Sequence, residues 1–93
     1  MSIIKLKVFT ADWCLSCKTR MPKILDDCKK EFSDTVQIEK LDAVLNEELA
    51  ISLDVQHFPT TIFFDENDKE LDRFVGVSSI VLMRKMNAII GDK

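Results

Sequence analysis

The sequence predicts an α/β domain: a four-stranded mixed sheet with helices on both faces, in the order β-α-β-α-β-β-α. Three observations lead there. Near the N-terminus, apolar residues alternate with lysine and then switch to helical spacing, so a strand feeds a helix. A second alternating run follows, which makes a right-handed β-α-β unit with parallel strands. Further on, two strand-like runs flank a polar turn, and that hairpin must add antiparallel strands to the same sheet. With 93 residues there is room for one core, hence one domain over residues 1–93.

Each element has its own signature. Residues 3–9 place Ile4, Leu6 and Val8 on one strand face. From Cys14 onward, Met21, Ile24, Leu25, Cys28 and Phe32 recur at helical intervals and form an apolar stripe. Residues 35–41 alternate again, with Val36 and Ile38 on one face and Gln37 and Glu39 on the other. Asn46 followed by Glu47 and Glu48 reads as a cap and an acidic first turn, for a helix running to about Leu53. Residues 60–65 and 69–75 are the two hairpin strands. Ser78 or Ser79 caps a last helix with Leu82, Met86, Ile89 and Ile90 inward and Gly91 as its stop.

Composition removes several classes. Apolar residues at 46% and charged residues at 31% argue against disorder. A net charge of −3 offers no basic field for a nucleic-acid backbone. No apolar run approaches a membrane span, and the first residues lack a signal-peptide pattern. Three cysteines, an odd number, speak against a secreted disulfide framework and for a reducing, cytoplasmic setting.

The chemistry lies in Trp13-Cys14-Leu15-Ser16-Cys17, a C-x-x-C at a strand-to-helix junction. A helix start offers unpaired N–H groups and partial positive charge, both of which favour thiolate over thiol. Lys18, Arg20 and Lys23 add positive charge nearby, and Asp12 opposes it. Such surroundings lower a thiol pKa from about 8.5 into roughly the 3.5–7.5 range. Cys14, at the tip, is expected to be the accessible nucleophile. Cys17, one turn inside, is expected to resolve the mixed disulfide by attacking Cys14. The competing reading is half a zinc site, with Cys28 and His57 as the remaining candidate ligands. On a continuous helix, however, Cys28 would lie about 16 Å from Cys17, so no metal site is assigned. Cys28 reads as a core residue and His57 as a loop contact.

The segment Ala11-Asp12-Trp13-Cys14-x-x-Cys17-Lys18 resembles the active-site segment of the thioredoxin family. Pro22, five residues after Cys17, matches the family's helix-kinking proline and would bend this helix between Met21 and Ile24. Phe58-Pro59-Thr60 resembles the cis-proline segment, and Gly76 a glycine near the substrate groove. The family's extra N-terminal strand and helix have no counterpart here.

The resemblance implies a thioredoxin-like fold and a dithiol–disulfide oxidoreductase that reduces protein disulfides through a redox-active Cys14–Cys17 pair. It also implies a cis bond before Pro59, substrate contacts from Trp13, Phe58, Pro59, Thr60 and Gly76, and no bound cofactor. An NADPH-dependent, thioredoxin-type reductase would recharge a monomer. Two alternatives stand beside it: a glutaredoxin-like, glutathione-linked reductase, and a thioredoxin-fold binding module without turnover. The glutaredoxin Cys-Pro-Tyr-Cys and paired glycines are missing. Two departures stand out. Leu15-Ser16 replaces the usual Gly-Pro, and Val8 stands where thioredoxins usually bury an acid beneath the second cysteine. Lys40 matches the family lysine near that acid. Its parity with Val36 and Ile38 points its stem inward, so its ammonium is expected to support the Cys17 thiolate.

Overall fold

The alternating N-terminal segment forms β1 (Ile4–Thr10), the strand around which the sheet is assembled. A computed structural model describes residues 3–91. After β1 come α1 (Leu15–Thr19), α2 (Met21–Glu31), β2 (Val36–Asp42), α3 (Glu47–Ser52), β3 (Thr60–Phe64), β4 (Glu70–Val75) and α4 (Ser79–Gly91). The sheet order is β2-β1-β3-β4. β1 runs parallel to β2 and antiparallel to β3, and β3 pairs antiparallel with β4. The mixed four-stranded sheet is the one the residue pattern predicts.

Alternation along β1 divides the core in two. Ile4, Leu6 and Val8 meet Met21, Leu25 and Cys28 of α2, Phe63 of β3, and Leu82 and Met86 of α4. On the opposite face Phe9, Ile62 and Phe64 meet Ala50 of α3, with Leu41, Leu49 and Leu53 partly buried around them. Full burial of a large apolar side chain contributes about 1.5–3 kcal/mol, so the first cluster holds most of the stabilising surface.

Three local expectations need correction. The first helix is not one bent rod but two helices that meet at Arg20, which ends α1 and precedes α2. Pro22 falls in the first turn of α2, where a missing N–H leaves no helical bond unmade. The break therefore lies before Pro22 rather than between Met21 and Ile24. Asn46 precedes α3 but does not cap it with its side chain. Its Nδ2 donates instead to the Asp42 carbonyl at 2.9 Å, while the Asp42 carboxylate accepts the N–H groups of Val44 and Leu45. The turn outcompetes the cap. At the last helix the cap is Ser78, one of the two serines expected, with its Oγ accepting from Val81 N–H at 3.2 Å. It is the expected stop that needs correcting: Gly91 is still helical and is the last described residue.

Candidate active site

The carboxyl ends of β1 and β2 point the same way, and the loop leaving β1 carries both cysteines. A turn closed by Cys14 N–H to the Ala11 carbonyl, 3.0 Å, brings Cys14 to the head of α1. Cys14 and Cys17 are joined by a disulfide with their Cα atoms 5.3 Å apart. Cys17 N–H donates to Cys14 Sγ at 3.3 Å, and the Ser16 hydroxyl lies 3.4 Å from the same sulfur. A thiolate formed at Cys14 would inherit both partners.

Cys14 was expected to be plainly more accessible than Cys17. In the disulfide the two differ little, at 9% and 6% exposure. The pair packs with Ala11 and Phe58. Trp13 and Leu15 flank it with 70% and 74% of their surface open. The sulfurs thus sit at the base of an exposed apolar rim.

The segment before β3 supplies the other wall. The Phe58–Pro59 bond is cis. Pro59 is buried, and its carbonyl accepts the Gly76 N–H at 2.9 Å, which ties the start of β3 to the end of β4. Gly76 has φ +106°, a conformation that L side chains rarely adopt. Phe58 packs against both the cysteine cluster and the cluster under α3, and its ring meets Trp13 edge-on at 5.9 Å. Thr60 is buried, with its hydroxyl bound to the His57 carbonyl at 2.5 Å. The sequence reading missed Phe58 as a packing link. Two aromatics beside Cys14 and Pro59 were the available signal.

Lys40 and Cys28 stand apart from this group. Lys40 pairs with Val8 in the parallel register, yet its side chain is exposed rather than turned inward. β2 is an edge strand, so a long side chain there reaches past the helix layer to water. Val8 itself is fully buried, as expected. Cys28 is a free, buried thiol. Burial, with Glu31's negative charge nearby, pushes its pKa up to about 11, so it stays protonated and unreactive. Among the described residues no group of three or more His, Cys, Asp or Glu side chains could hold a metal ion. Nor is any described helix long and apolar enough to cross a membrane.

A mixed sheet flanked by helices, with a C-x-x-C disulfide where β1 gives way to α1 and a cis-proline before β3, defines a thioredoxin-fold redox domain. Comparison with known proteins agrees. The thioredoxin family model matches residues 3–88. Thioredoxin-T of Drosophila melanogaster is 36% identical over 83 residues, covering 89% of this chain and 52% of that protein. A probable thioredoxin of Methanothermobacter thermautotrophicus is 30% identical over 77 residues, covering 83% of this chain and 84% of that one. The crystal structure of thioredoxin from Trypanosoma brucei brucei superposes with a TM-score of 0.85 at 32% identity, over 96% of this chain and 76% of that one. The chain belongs to the thioredoxin family. It spans about half the length of the fly relative.

Proposed function

We propose that this protein is a dithiol–disulfide oxidoreductase that reduces disulfides in other proteins. The observation that carries the reading is the Cys14–Cys17 disulfide set at the base of the apolar rim of Trp13 and Leu15. In the reduced state the Cys14 thiolate attacks a substrate disulfide and forms a mixed disulfide, releasing the first substrate sulfur as a thiolate. Cys17 then loses its proton and attacks Cys14 Sγ, which releases the second substrate sulfur. Two electrons pass to the substrate and the Cys14–Cys17 bond re-forms.

Trp13, Phe58, Pro59, Thr60 and Gly76 form the substrate-contacting surface in this reading. Support comes from the packing of Phe58 under the cysteines and from the Gly76–Pro59 hydrogen bond that fixes the opposite wall. The domain works as a cytoplasmic monomer, and a thioredoxin-type reductase using NADPH returns it to the dithiol. Cys17→Ser removes the resolving thiol. Captured on the full chain, mixed disulfides at Cys14 should then accumulate, and a Cys14→Ser control should show none. Equal recovery from the two variants would overturn the reading.

A further inference from the structure

Thr60 and Thr61 are adjacent and buried, and they face opposite sides of the sheet. The Thr60 hydroxyl has the His57 carbonyl. Thr61 Oγ1 has nothing: among the described residues it is the one buried side-chain nitrogen or oxygen without a hydrogen-bond partner. A hydroxyl so placed costs stability, and a valine of the same shape would avoid the cost.

The surroundings indicate what partner is missing. Thr61 lies between Val8 of β1 and Phe74 of β4. It shares the parity of Phe63, on the sheet face that α2 and α4 cover. Cys17, Met21, Leu25 and Cys28 are the buried stripe that runs along α1 and α2. Met21 belongs to the cluster that contains Val8; Cys17, four residues earlier and across the break at Arg20, packs in the separate cluster of Ala11 and Cys14, and Thr61 is the second residue of β3. In the disulfide, Cys17 Sγ is neutral and bonded to Cys14. Reduction leaves a buried thiol that must ionise, and no side chain named at the site supplies a hydrogen bond to it.

We propose that the Thr61 hydroxyl serves the resolving step by donating its hydrogen to the Cys17 thiolate, directly or through one buried water. The assignment rests on the dithiol reading above. Cys17 yields its proton to water and its thiolate attacks Cys14 Sγ. The Cys14–Cys17 bond forms as the bond from Cys14 to the substrate sulfur breaks, and the departing thiolate takes up a proton. The orphaned hydroxyl of the oxidised state therefore gains its partner during turnover.

Titratable groups on the surrounding elements include Asp12 on the cysteine loop, Lys18 on α1, Cys28 on α2, Lys40 on β2, Asp72 on β4 and Lys85 on α4. Asp72 and Lys85 pair with each other at 2.8 Å, Cys28 stays protonated, and Asp12, Lys18 and Lys40 are exposed. None of them bonds Thr61 Oγ1.

The test mixes the reduced full chain with one equivalent of dithiobis-nitrobenzoate in a stopped-flow instrument, between about pH 6 and 9, where ordinary thiols ionise. Attack by Cys14 releases one coloured thiolate and resolution by Cys17 releases a second. Thr61→Val should leave the first release at the parent rate and slow the second about tenfold at neutral pH, moving its midpoint up about one unit. Its melting temperature should not fall, and Thr61→Ser should restore the second release. An unchanged second release in Thr61→Val would overturn the assignment. So would slowing in both variants with an unmoved midpoint, since that reports packing alone. A parent protein that releases only one equivalent would instead overturn the dithiol reading, and the assignment with it.

Discussion

The two faces of the sheet are built differently. One is covered by α2 and α4 and buries Ile4, Leu6, Val8 and Phe63 almost completely. The other has only the six-residue α3, which covers the half around Phe9, Ile62 and Phe64. Beyond α3 that face is polar: Lys5, Lys7, Gln37, Glu39 and Asp68 line a shallow hollow. There Lys7 pairs with Glu39 at 2.8 Å and lies over the Phe64 ring, so a lysine stem covers what a helix covers elsewhere. The cysteines sit where the faces meet. Cys17 continues the stripe of the first face, and Phe58 ties the disulfide to the second. The difference teaches that stability is concentrated on one face, while both converge on the reactive end.

The comparison can be broken most directly by truncating each face. Phe63→Ala should cost about 3–5 kcal/mol in urea unfolding, because it opens a cavity between two helices and the sheet. Leu49→Ala under α3 should cost less than about 2 kcal/mol, since that residue is only partly buried. Equal losses would mean that the faces share the load. Gly76→Ala tests the seam between the two hairpin strands at the reactive end. No atom would obstruct the added Cβ, but φ +106° is strained for alanine. A loss of about 1–3 kcal/mol is expected, with weaker substrate binding as the hydrogen bond to Pro59 shifts.

Acid titration sharpens the picture on β4. Hydrogen bonding from Arg73 holds the Glu70 carboxyl below its ordinary value, against a smaller burial effect. For Asp72 burial pushes upward most strongly, yet the Lys85 and Arg73 hydrogen bonds with the Lys85 charge outweigh it and the net direction is down. Groups depressed on folding stabilise the native state above their unfolded pKa values, near 4.5 and 3.8, and that contribution fades as pH falls through the folded values. Both side chains are more than a third exposed, at 35% and 41%, so solvent screening should keep the loss within about 1 kcal/mol. Asp72→Asn should remove part of that acid dependence in unfolding curves. The smallest effect is expected from Lys40→Met. Exposed at the margin of the two-helix face, Lys40 should change stability by less than about 0.5 kcal/mol and leave the resolving rate unmoved. A slowed rate would restore the role its strand parity suggested.

Strand parity and helical spacing carried most of the fold, because alternation in β1 and the stripe from Met21 to Phe32 are direct consequences of which side is buried. The break at Arg20 was less legible. A proline announces an interruption but does not say whether the chain bends at it or begins anew before it. Asn46 failed as a cap because Asp42, four residues earlier, organised the turn first. At the site, Cys14, Cys17 and Pro59 are marked by motif and spacing. Lys40 was misplaced because parity fixes a direction and not how far the helix layer extends. Thr61 escaped notice because a threonine in a strand is unexceptional until its neighbours leave its hydroxyl unpartnered.

Among the described residues β2 has a strand partner on one side only, β1. The other margin is a row of backbone donors and acceptors on which a foreign strand could grow. The residues along it are Gln37, Glu39, Lys40 and Asp42, between shorter stretches of Val36, Ile38 and Leu41. An incoming strand would have to bring matching charges into close register and strip water from both. The charges along this margin therefore disfavour edge-to-edge pairing, and neutralising Glu39 and Lys40 together should raise the tendency of concentrated protein to associate, as read by light scattering.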